Sequence, residues 1–562
     1  MKLNKKLLPM KMHYFFLYSG LAPIFPFLPV MAKDLGFSAF IVGTIFTIIP
    51  ILSLPAKPLL GAIADKFQSQ KLIFLLLIIV QGLFFLSTSW LPSLPVATSS
   101  ITCDNSTRLD LCSGRLMGND TLALAITNSF KGNSCKMTCP EKTFDLGVML
   151  EKGQPFEILL ANNSFSMNKE CISIEVDAIT ANGSNKFTPK CTSKTSGHCN
   201  IGCAIPLLNN IMKESSVPDE EVIYYYQFWL LLILIATAKI ATAVLTSIGD
   251  TICFGLLEDK PNNFGLQRLW GAAGWGSLSF ISGLTVDKFS KGSEKKVYTS
   301  AYYFLVAFTI FNFLISTKLK YSTKSGPSSS VFKNVCKVLK NRHIIVFMFW
   351  CTLNGIYTAM IWNFLFWFLE EIAVNNGYGD MTYIKTLEGL TLTFHCYFGE
   401  IPFFFISSWL IKKLGHNNSM TLVLAAFAVR FIVYSYLTNP WWTLPVEMLN
   451  GITFGIFYAT MTTYANMIAP PGAEATMQNL VAALYDALGV SLGSFIGGYM
   501  IQTLGGITTF WIFGLSATAF TIIHFLVHVF ILKTGYRSEV DEKKENDYQM
   551  TLETNIHSLD LQ

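Results

Sequence analysis

Long apolar runs dominate this sequence and decide what kind of fold it can adopt. Twelve runs of 18 or more mostly apolar residues begin near residues 12, 37, 72, 223, 270, 299, 344, 384, 419, 441, 479 and 507. A helix of about 20 such residues crosses a hydrocarbon core about 30 Å thick. With 51% hydrophobic and 14% charged residues, the chain cannot cover a soluble globular surface. The sequence therefore predicts an all-α membrane protein with twelve transmembrane helices.

Lysine and arginine in the short connections predict the orientation of these helices. Basic residues precede helix 1, follow helix 2 and fill the middle connection from Lys318 to Arg342. Because basic residues collect on the cytoplasmic side, these segments and both termini are expected there. The connection between helices 5 and 6 is an exception, since it carries Lys288, Lys291, Lys295 and Lys296. The net charge of +5 follows from this topology and does not indicate nucleic-acid binding.

A domain-sized insertion, residues 96 to 222, separates helices 3 and 4 on the predicted extracellular or lumenal side. It contains eight of the twelve cysteines, which predicts up to four disulfides with the pairing left open: Cys103, Cys112, Cys135, Cys139, Cys171, Cys191, Cys199 and Cys203. It also contains the glycosylation sequons of Asn105, Asn119, Asn162 and Asn182. Sequons fit an oxidising compartment, so disulfides are favoured over a metal site.

The predicted organisation is two six-helix halves with additional segments. It comprises helices 1–3 in residues 1–95, the insertion in 96–222, helices 4–6 in 223–317, a cytoplasmic linker in 318–343, helices 7–12 in 344–532 and a disordered cytoplasmic tail in 533–562. An internal repeat supports this division, because Ser408 to Asn418, after helix 8, can be laid over Gly61 to Lys71, after helix 2. A duplicated six-helix unit would place the repeat there.

Twelve helices, a six-plus-six division and the pattern G-x-x-x-D-K at Gly61, Asp65 and Lys66 together resemble the major facilitator superfamily. Four further segments resemble its subgroup around domain-containing protein 6, near the lactose permease and nucleoside/proton symporter branch. These are FPFLP (Phe25 to Pro29), RLWGAAGWG (Arg268 to Gly276), NFLFWFLEE (Asn363 to Glu371) and the run from Asn439 to Leu480.

The resemblance implies alternating access, in which two halves rock about a central site. Asp65 would then hold the cytoplasmic ends of helices 2 and 11 together, since a helix N-terminus favours an anion; a solvated loop carboxylate is the alternative. Lys57 and Asp486 could pair across the same divide, although Lys57 could instead snorkel to the interface. The predicted cytoplasmic gate is Lys57, Gly61, Asp65, Lys66 and Asp486.

Ionisable residues at membrane depth are expensive and indicate function. Glu400 in helix 8 and Arg430 in helix 9 lie at matching depth, so they are the best candidate ion pair, and Glu447 in helix 10 could join if Arg430 reaches outward. The group resembles the proton-coupling network of the lactose-permease branch. Glu400 or Glu447 is the predicted proton carrier, and Arg430 would favour its charged form. A fixed structural salt bridge is the alternative.

A substrate cavity is predicted from polar and aromatic residues in the helices. Lys239 in helix 4 has no partner within its own helix, and helix 7 supplies residues able to stack on a ring or bind a sugar-like solute: Asn354, Tyr357, Trp362 and Asn363. Aromatic residues of this kind could instead serve packing or the interfacial belt. His395 is interpreted as a packing residue.

Two functions compete. The first is a proton-coupled symporter of a small polar organic solute; the second is a receptor or adhesion protein that binds an extracellular protein ligand through the insertion. No nucleotide loop, metal cluster or nucleophile triad is evident, so neither an enzyme nor a cofactor is expected. Multi-pass insertion in the plasma membrane is predicted, with the endolysosomal membrane as the alternative, and lipid, solute and protons are the expected partners.

Overall fold

The computed structural model describes residues 7–66, 70–95, 98–104, 106–112, 134–138, 144–145, 149–150, 155–167, 171–181, 186–189, 195–203, 217–257, 264–291, 296–319, 342–376, 381–469 and 474–528. The chain divides into two compact units. One is helical and comprises Met1–Val30, Val42–Ser89 and Ile233–Gln562; the other comprises Met31–Ile41 and Trp90–Leu232. The predicted linker between residues 320 and 341 and the predicted tail from 533 lie outside the described residues.

Helices occur where the apolar runs predict them, and we keep the predicted numbering. The first six are helix 1 (Leu8–Leu21 and Leu28–Asp34), helix 2 (Ala39–Lys66), helix 3 (Gln70–Ser87), helix 4 (Tyr226–Leu257), helix 5 (Phe264–Phe289) and helix 6 (Thr299–Ser316). The others are helix 7 (Arg342–Asn375), helix 8 (Ile384–Phe394, His395–Glu400 and Ile401–Leu414), helix 9 (His416–Ser435), helix 10 (Thr443–Glu447, Gly451–Ile456 and Phe457–Ile468), helix 11 (Glu474–Ala483, Leu484–Gly489 and Val490–Leu504) and helix 12 (Gly506–Leu526).

Among the described residues, nine helical stretches are long and apolar enough to cross a membrane, and they correspond to helices 1–4, 6, 7, 9, 11 and 12. Helix 5 is more polar, and helices 8 and 10 are divided by the π-helical turns His395–Glu400 and Gly451–Ile456. Helices 5, 8 and 10 carry Arg268, Glu400 and Glu447 respectively. Their polar side chains make them less apolar than the nine stretches.

We refer to helices 1–6 as the first half and to helices 7–12 as the second half. These two groups of helices pack closely where helix 5 crosses helix 8. A Cβ atom at Gly283 would overlap the carbonyl oxygen of Lys385, and one at Gly389 would overlap that of Ser279. Glycine at these positions lets the two backbones touch. Helix 5 contacts mainly Ile384–Phe394 and only slightly Ile401–Leu414, so the helices diverge along their length. We call the closely packed end, where helix 5 ends and helix 8 begins, the Asp287 end.

Helices 2 and 11 make a second contact between the halves. Ser491 Oγ donates to the carbonyl of Thr47 (2.8 Å), and Thr47 Oγ1 donates to the carbonyl of Ser491 (3.0 Å). Gly43 lies against the same helix, where an added Cβ would lie 2.5 Å from the Ser494 carbonyl. Further along helix 2, Ile51 and Leu59 are 53% and 62% exposed. Helix 2 thus loses packing partners towards its far end, which we call the Lys57 end.

The second unit contains an antiparallel sheet within the predicted insertion. Its strands are β1 (Thr98–Asp104), β2 (Ser106–Cys112), β3 (Ser134–Thr138), β6 (Pro155–Met167), β7 (Cys171–Ala181), β8 (Thr195–His198) and β9 (Asn200–Cys203), with β4 (Phe144–Asp145) and β5 (Met149–Leu150) forming a separate pair. The order in the sheet is β8-β1-β2-β7-β6-β3-β9. Only Cys199 separates β8 from β9, so residues 195–203 form one continuous segment. Its first part pairs with β1 and its last part pairs with β3, which closes the sheet on itself.

Alternate residues of these strands point into one apolar core. Leu109, Ile158, Ile174 and Ile179 are among its fully buried members. Alternation with period two follows from strand geometry and gives a closed sheet an apolar inside and a polar outside. The predicted insertion therefore contains a folded domain with its own core, which the cysteine pattern alone did not predict.

One disulfide is defined by the strand register. Cys112 of β2 lies opposite Cys171 of β7, and their sulfur atoms are bonded; Cys103, Cys135 and Cys199 are also disulfide-bonded. Cys139 and Cys191 lie outside the described residues, as do Asn105, Asn119 and Asn182. Asn162 lies within β6, but its side chain is outside the described part, so the glycosylation sites and the remaining pairings stay predictions.

We expect the Cys112→Ser/Cys171→Ser double variant to destabilise this domain by about 2–4 kcal/mol, because the bond closes a loop with a sequence separation of 59 residues in the unfolded chain. Limited proteolysis between residues 98 and 203 would measure the effect, with a Cys253→Ser variant of helix 4 as the control. Equal cleavage rates in the double variant and the control would contradict this expectation.

Candidate functional site

A buried arginine in helix 9 is the centre of a polar network inside the second half. Arg430 and Glu447 are each only 1% exposed. Nη2 of Arg430 donates to both Glu447 carboxylate oxygens, at 2.7 and 2.6 Å. Nη1 donates to Thr453 Oγ1 at 2.8 Å and to Asn450 Oδ1 at 3.2 Å, and Nε donates to the Tyr434 hydroxyl at 3.1 Å. The buried guanidinium thus has a partner on each of its nitrogens.

The same network fixes the tautomer of His395. Because Asn450 turns its oxygen to Arg430, its amide nitrogen faces His395 Nε2 at 2.7 Å. Nε2 must therefore accept, and Nδ1 carries the proton that it donates to Glu447 Oε2, also at 2.7 Å. The Arg430 network thus joins His395 of helix 8 to both Glu447 and Asn450.

The sequence argument favoured Glu400 as the partner of Arg430, and this choice was wrong. The salt bridge joins Arg430 to Glu447, with Nη2 2.6 Å from Oε2. The sequence gives the depth of a residue along its helix but not the side of the helix on which it lies. Glu447 lies on the face of helix 10 that meets helix 9. Sequence reasoning interpreted His395 as a packing residue, whereas it bonds Glu447 and Asn450. It also missed Asn450, Tyr434 and Thr453, whose only signal was that polar residues interrupt apolar helices.

Glu400 has a different environment. It ends the π-helical turn His395–Glu400, and the Cys396 thiol lies 3.9 Å from its Oε2. It is close enough to interact electrostatically with His395 and with Arg268 of helix 5. Turns of this kind often occur at functional sites, because they re-aim side chains. Glu400 is therefore held far more loosely than Glu447.

Two cations of the first half are Arg268 and Lys239, and Arg268 is the one near Glu400. Arg268 Nη1 donates to both oxygens of Asp250, at 3.2 Å each, and the Tyr14 hydroxyl donates to Asp250 Oδ1 at 2.7 Å. Lys239 Nζ lies 3.2 Å from the centre of the Phe25 ring and 5.6 Å from that of Phe46. A cation over aromatic faces is stabilised without a counter-ion.

Asp486 of helix 11 faces these cations. It lies in the π-helical turn Leu484–Gly489 and interacts electrostatically with Lys57, Lys239 and Arg268. Within the described part of the chain, however, no ion pair joins Lys239 or Arg268 to Asp486 or Glu400. Two cations of one half therefore face two carboxylates of the other half. They are close enough for electrostatic attraction but farther apart than a salt bridge allows. We call these four side chains the charge-pair site.

The predicted cavity residues of helix 7 divide into two groups. Asn354 and Tyr357 are buried inside the second half, where Asn354 Nδ2 donates to the Trp350 carbonyl and the Tyr357 hydroxyl bonds Ser516. Asn363 is also buried and donates to Ser494 of helix 11 at 2.8 Å. Trp362 is 40% exposed, with its ring 6.5 Å from that of Tyr485. The structure thus places the exposed Trp362 beside the turn that carries Asp486.

The predicted cytoplasmic gate is only partly described. Lys57 is exposed and acts on Asp486 through space. Gly61, Asp65 and Lys66 lie in the last turns of helix 2, but their side chains are outside the described part.

A separate cavity lies among helices 7, 9, 10 and 12. It is lined by Trp350, His416 and His524 among others, and it includes none of the charge-pair site.

Comparison with known proteins identifies the family. The sequence profile described as the MFS_1 like family matches residues 7–512. The chain belongs to the MFS_1-like family. This confirms the resemblance to the major facilitator superfamily and, with the apolar helices, makes the chain a multi-pass membrane protein of a transporter family.

Curated relatives agree with this assignment. The chain is 22% identical over 504 residues to the Danio rerio Major facilitator superfamily domain-containing protein 6-like, covering 88% of this chain and 82% of the relative. It spans 42% of the length of the Xenopus laevis 6-like protein B, at 24% identity over 270 residues and 47% of this chain. It is 23% identical to the Putative nucleoside transporter YegT of Escherichia coli (strain K12), covering 54% of this chain and 73% of that protein.

A solved structure shares the fold. The nucleoside transporter NupG aligns with a TM-score of 0.57 over 93% of this chain and 98% of that chain. The sequence identity of 13% shows the fold alone. The helical unit described above is therefore a major facilitator fold.

Proposed function

We propose that this protein is a secondary active transporter, a proton-coupled symporter that moves a small polar organic solute by alternating access. In this proposal twelve helices form two six-helix halves, and residues 96–222 form an extracellular, disulfide-rich domain. The observation that carries the proposal is the charge-pair site, because it faces both halves. A solute that binds both halves can couple their movement, since it favours the state in which both can reach it.

The geometry explains how a solute would be held. Lys239 and Arg268 offer donors from the first half, and Glu400 and Asp486 offer acceptors from the second. A solute with donors and acceptors could replace the missing direct ion pairs and bridge the gap with charge-assisted hydrogen bonds. Trp362 would add an apolar or stacking contact at one side.

The class of solute follows from this chemistry together with the relatives. A solute rich in hydroxyl and amide groups fits four charged side chains, and nucleosides and sugars are such solutes. YegT is named a putative nucleoside transporter, and a Maltose permease of Geobacillus stearothermophilus is 21% identical over 46% of this chain. Nucleosides and disaccharides are therefore the first solutes to test.

Uptake into proteoliposomes with an imposed inward proton gradient tests the proposal. We expect accumulation of at least one labelled nucleoside or disaccharide, and at least a tenfold loss in Lys239→Met and Asp486→Asn variants, because each removes one side of the bridge. Lys413→Met removes an exposed cation that lies over Trp409 and serves as the charge control. Equal uptake in all these variants would contradict the role of the charge-pair site.

Glu400 is the better proton carrier of the two predicted carboxylates. Glu447 receives hydrogen bonds from Arg430, Tyr434 and His395, which favour its charged form. Glu400 lies beside the weakly polar Cys396 thiol. Protonation or deprotonation of Glu400 therefore breaks fewer interactions than the same change at Glu447.

Glu400→Gln is expected to abolish gradient-driven accumulation while solute exchange across the membrane persists, because an amide cannot carry the proton. Accumulation and counterflow measured in the same vesicles separate the two activities. Glu371→Gln is the matched control, since Glu371 accepts from the backbone of Gly506 at 3.1 Å within the second half. Accumulation at the wild-type level in Glu400→Gln would remove Glu400 from the mechanism.

The receptor hypothesis stays a prediction, and deleting residues 100 to 215 would separate partner binding from transport.

A further inference from the structure

Two side chains of helix 8 bind helix 5 across the divide between the halves. Thr393 Oγ1 donates to the Gly276 carbonyl at 2.7 Å. The Tyr397 hydroxyl bonds Ser277 Oγ at 2.7 Å and donates to the Ala273 carbonyl at 3.2 Å. These contacts lie in the middle of helix 5, and we call them the crossing point of helices 5 and 8.

Glycine at position 276 lets the two helices meet closely at the crossing point. A Cβ atom at Gly276 would lie 3.0 Å from the Cβ of Cys396 and 3.1 Å from the ring of Tyr397. Both neighbours belong to the π-helical turn His395–Glu400. Helix 5 of the first half therefore lies directly against the turn that carries Glu400, the proposed proton carrier.

The same turn is also bound to its own half. His395 shares hydrogen bonds with Glu447 and Asn450 of helix 10, at 2.7 Å each. Tyr397 binds helix 5 from the same turn. Because Tyr397 and Glu400 are three residues apart on one turn, the bonds that fix the first residue also fix the direction of the second. The position of the Glu400 carboxylate thus depends on an anchor in each half.

On either side of the crossing point, helices 5 and 8 behave differently. At the Asp287 end they are held together, because the Asp287 carboxylate accepts from the backbone N–H of Thr386 at 2.6 Å and from that of Lys385 at 3.3 Å. On the other side, where the helices diverge, lie Arg268 and Glu400. They interact electrostatically but form no ion pair in the described part of the chain. Bringing the diverging ends together would shorten the distance between these two charges.

We propose that Tyr397 is a positioning residue, which holds Glu400 towards Arg268 and so makes the rocking of helices 5 and 8 sensitive to the proton on Glu400. The inference rests on the proposed alternating access and on Glu400 as the proton carrier. Because the helices rock about the crossing point, closing one end opens the other.

The sign of the effect follows from the charge of Glu400. A charged Glu400 attracts Arg268 more strongly as the distance falls, so it favours the form in which the diverging ends close and the Asp287 end opens. A protonated Glu400 loses this attraction. Acid therefore favours the form that is closed at the Asp287 end, and this form is lost as the pH rises.

Ionisable groups on several elements surround Glu400. Arg268 of helix 5 faces it from the first half, and Tyr18 of helix 1 also interacts with it. The other groups that face Glu400 or Arg268 are His395 and Cys396 of helix 8, Glu447 of helix 10 with its partner Arg430 of helix 9, Tyr458 of helix 10, and Asp250 of helix 4. The test below changes Glu400 and its anchor separately and leaves these groups in place.

Hydrogen exchange at the start of helix 8 measures the equilibrium, because the amides of Lys385 and Thr386 are bonded to Asp287 in the closed form. The experiment uses the full-length protein in lipid nanodiscs without solute. It follows peptides that cover residues 384–390 and corrects for intrinsic exchange between about pH 5.5 and 8.5. We expect protection in the wild type to fall by up to about tenfold per pH unit, the limit for one proton. Glu400→Gln resembles the protonated form and should keep the acid level of protection throughout.

Tyr397→Phe decides whether the hydroxyl positions Glu400 or only adds stability. A positioning role predicts a flatter profile, with a change of less than about threefold per pH unit. A purely structural role predicts the wild-type slope, shifted by one factor at every pH. Ser277→Ala should also flatten the profile, because it removes the partner hydroxyl, whereas Ser277→Thr keeps a hydroxyl and should keep the slope. Tyr302→Phe is the matched control, since it removes a hydroxyl bond to Thr88 within the first half, 2.8 Å long.

Three results would overturn the proposal. They are a flat wild-type profile, a wild-type slope in Glu400→Gln, and a wild-type slope in Tyr397→Phe. Should Tyr397→Phe fail to fold, the slope in Ser277→Ala takes its place. Because the test needs no solute, a failure to observe transport leaves its result unaffected, and a flat profile leaves the proposed transport of a solute unaffected.

Discussion

Replacing Arg430 by methionine is expected to destabilise the protein by about 3–5 kcal/mol, because the change leaves the carboxylate of Glu447 buried without its counter-ion. Arg430 and Glu447 are each 1% exposed, so water cannot replace the lost partner. The change also removes the donors that hold Asn450 and Thr453. Thermal unfolding in detergent, followed by tryptophan fluorescence, would measure the loss as a lower melting temperature.

Two comparisons decide whether charge is the cause. The double variant Arg430→Met/Glu447→Gln removes both charges and should recover part of the stability, whereas a packing defect would persist or grow. Arg268→Met breaks a pair whose side chains are 35% and 31% exposed, so its cost should stay near 1 kcal/mol or below. If Arg430→Met and Arg268→Met cost the same, burial would not be what makes the Arg430 pair important.

Alanine at position 283 is expected to separate helices 5 and 8 and to shift the protein towards the form that is open at the Asp287 end. Its Cβ would overlap the Lys385 carbonyl, and a backbone carbonyl cannot move aside as a flexible side chain can. Overpacking of this kind typically costs about 1–3 kcal/mol, which changes a conformational equilibrium by about 5- to 150-fold. The overlap destabilises only the closed form, because the two helices are apart in the open form.

Spin labels on exposed positions of the two halves would report the shift. Leu284 in helix 5 is 48% exposed and Val374 in helix 7 is 59% exposed, and both lie towards the Asp287 end. The distance distribution between them should move to longer values in Gly283→Ala. Gly265→Ala on the same helix is the control, since nothing lies within 4 Å of the added Cβ. Identical distributions in the two variants would show that the backbone contact does not set the equilibrium.

Together these variants separate two kinds of buried charge. The Arg430 network is complete, with each donor matched to an acceptor, and we expect its role to be structural support for the turn that presents Glu400. The charge-pair site is different, because no ion pair among the described residues joins its two cations to its two carboxylates. Such a site can respond to a solute, which is why the proposed function rests on it.

The sequence by itself determined the class of the fold and the location of its helices. Apolar runs of membrane length have few alternatives in lipid, because every backbone group must be satisfied within a helix. Nine stretches among the described residues meet that expectation, and helices 5, 8 and 10 are polar or interrupted where their side chains serve the interior. The signature around Gly61 and Asp65 indicated the superfamily, which the match over residues 7–512 confirmed.

Only the tertiary structure decided which charges meet. Position along a helix gives depth, but pairing depends on azimuth and on the helix that lies opposite, so the sequence chose Glu400 where the structure pairs Glu447 with Arg430. His395 looked like a packing residue because its partner is 52 positions away in the chain. Asp287 and Thr386 lie 99 positions apart, and no local pattern connects them. Local periodicity determines the elements; long-range electrostatics are determined by how those elements pack.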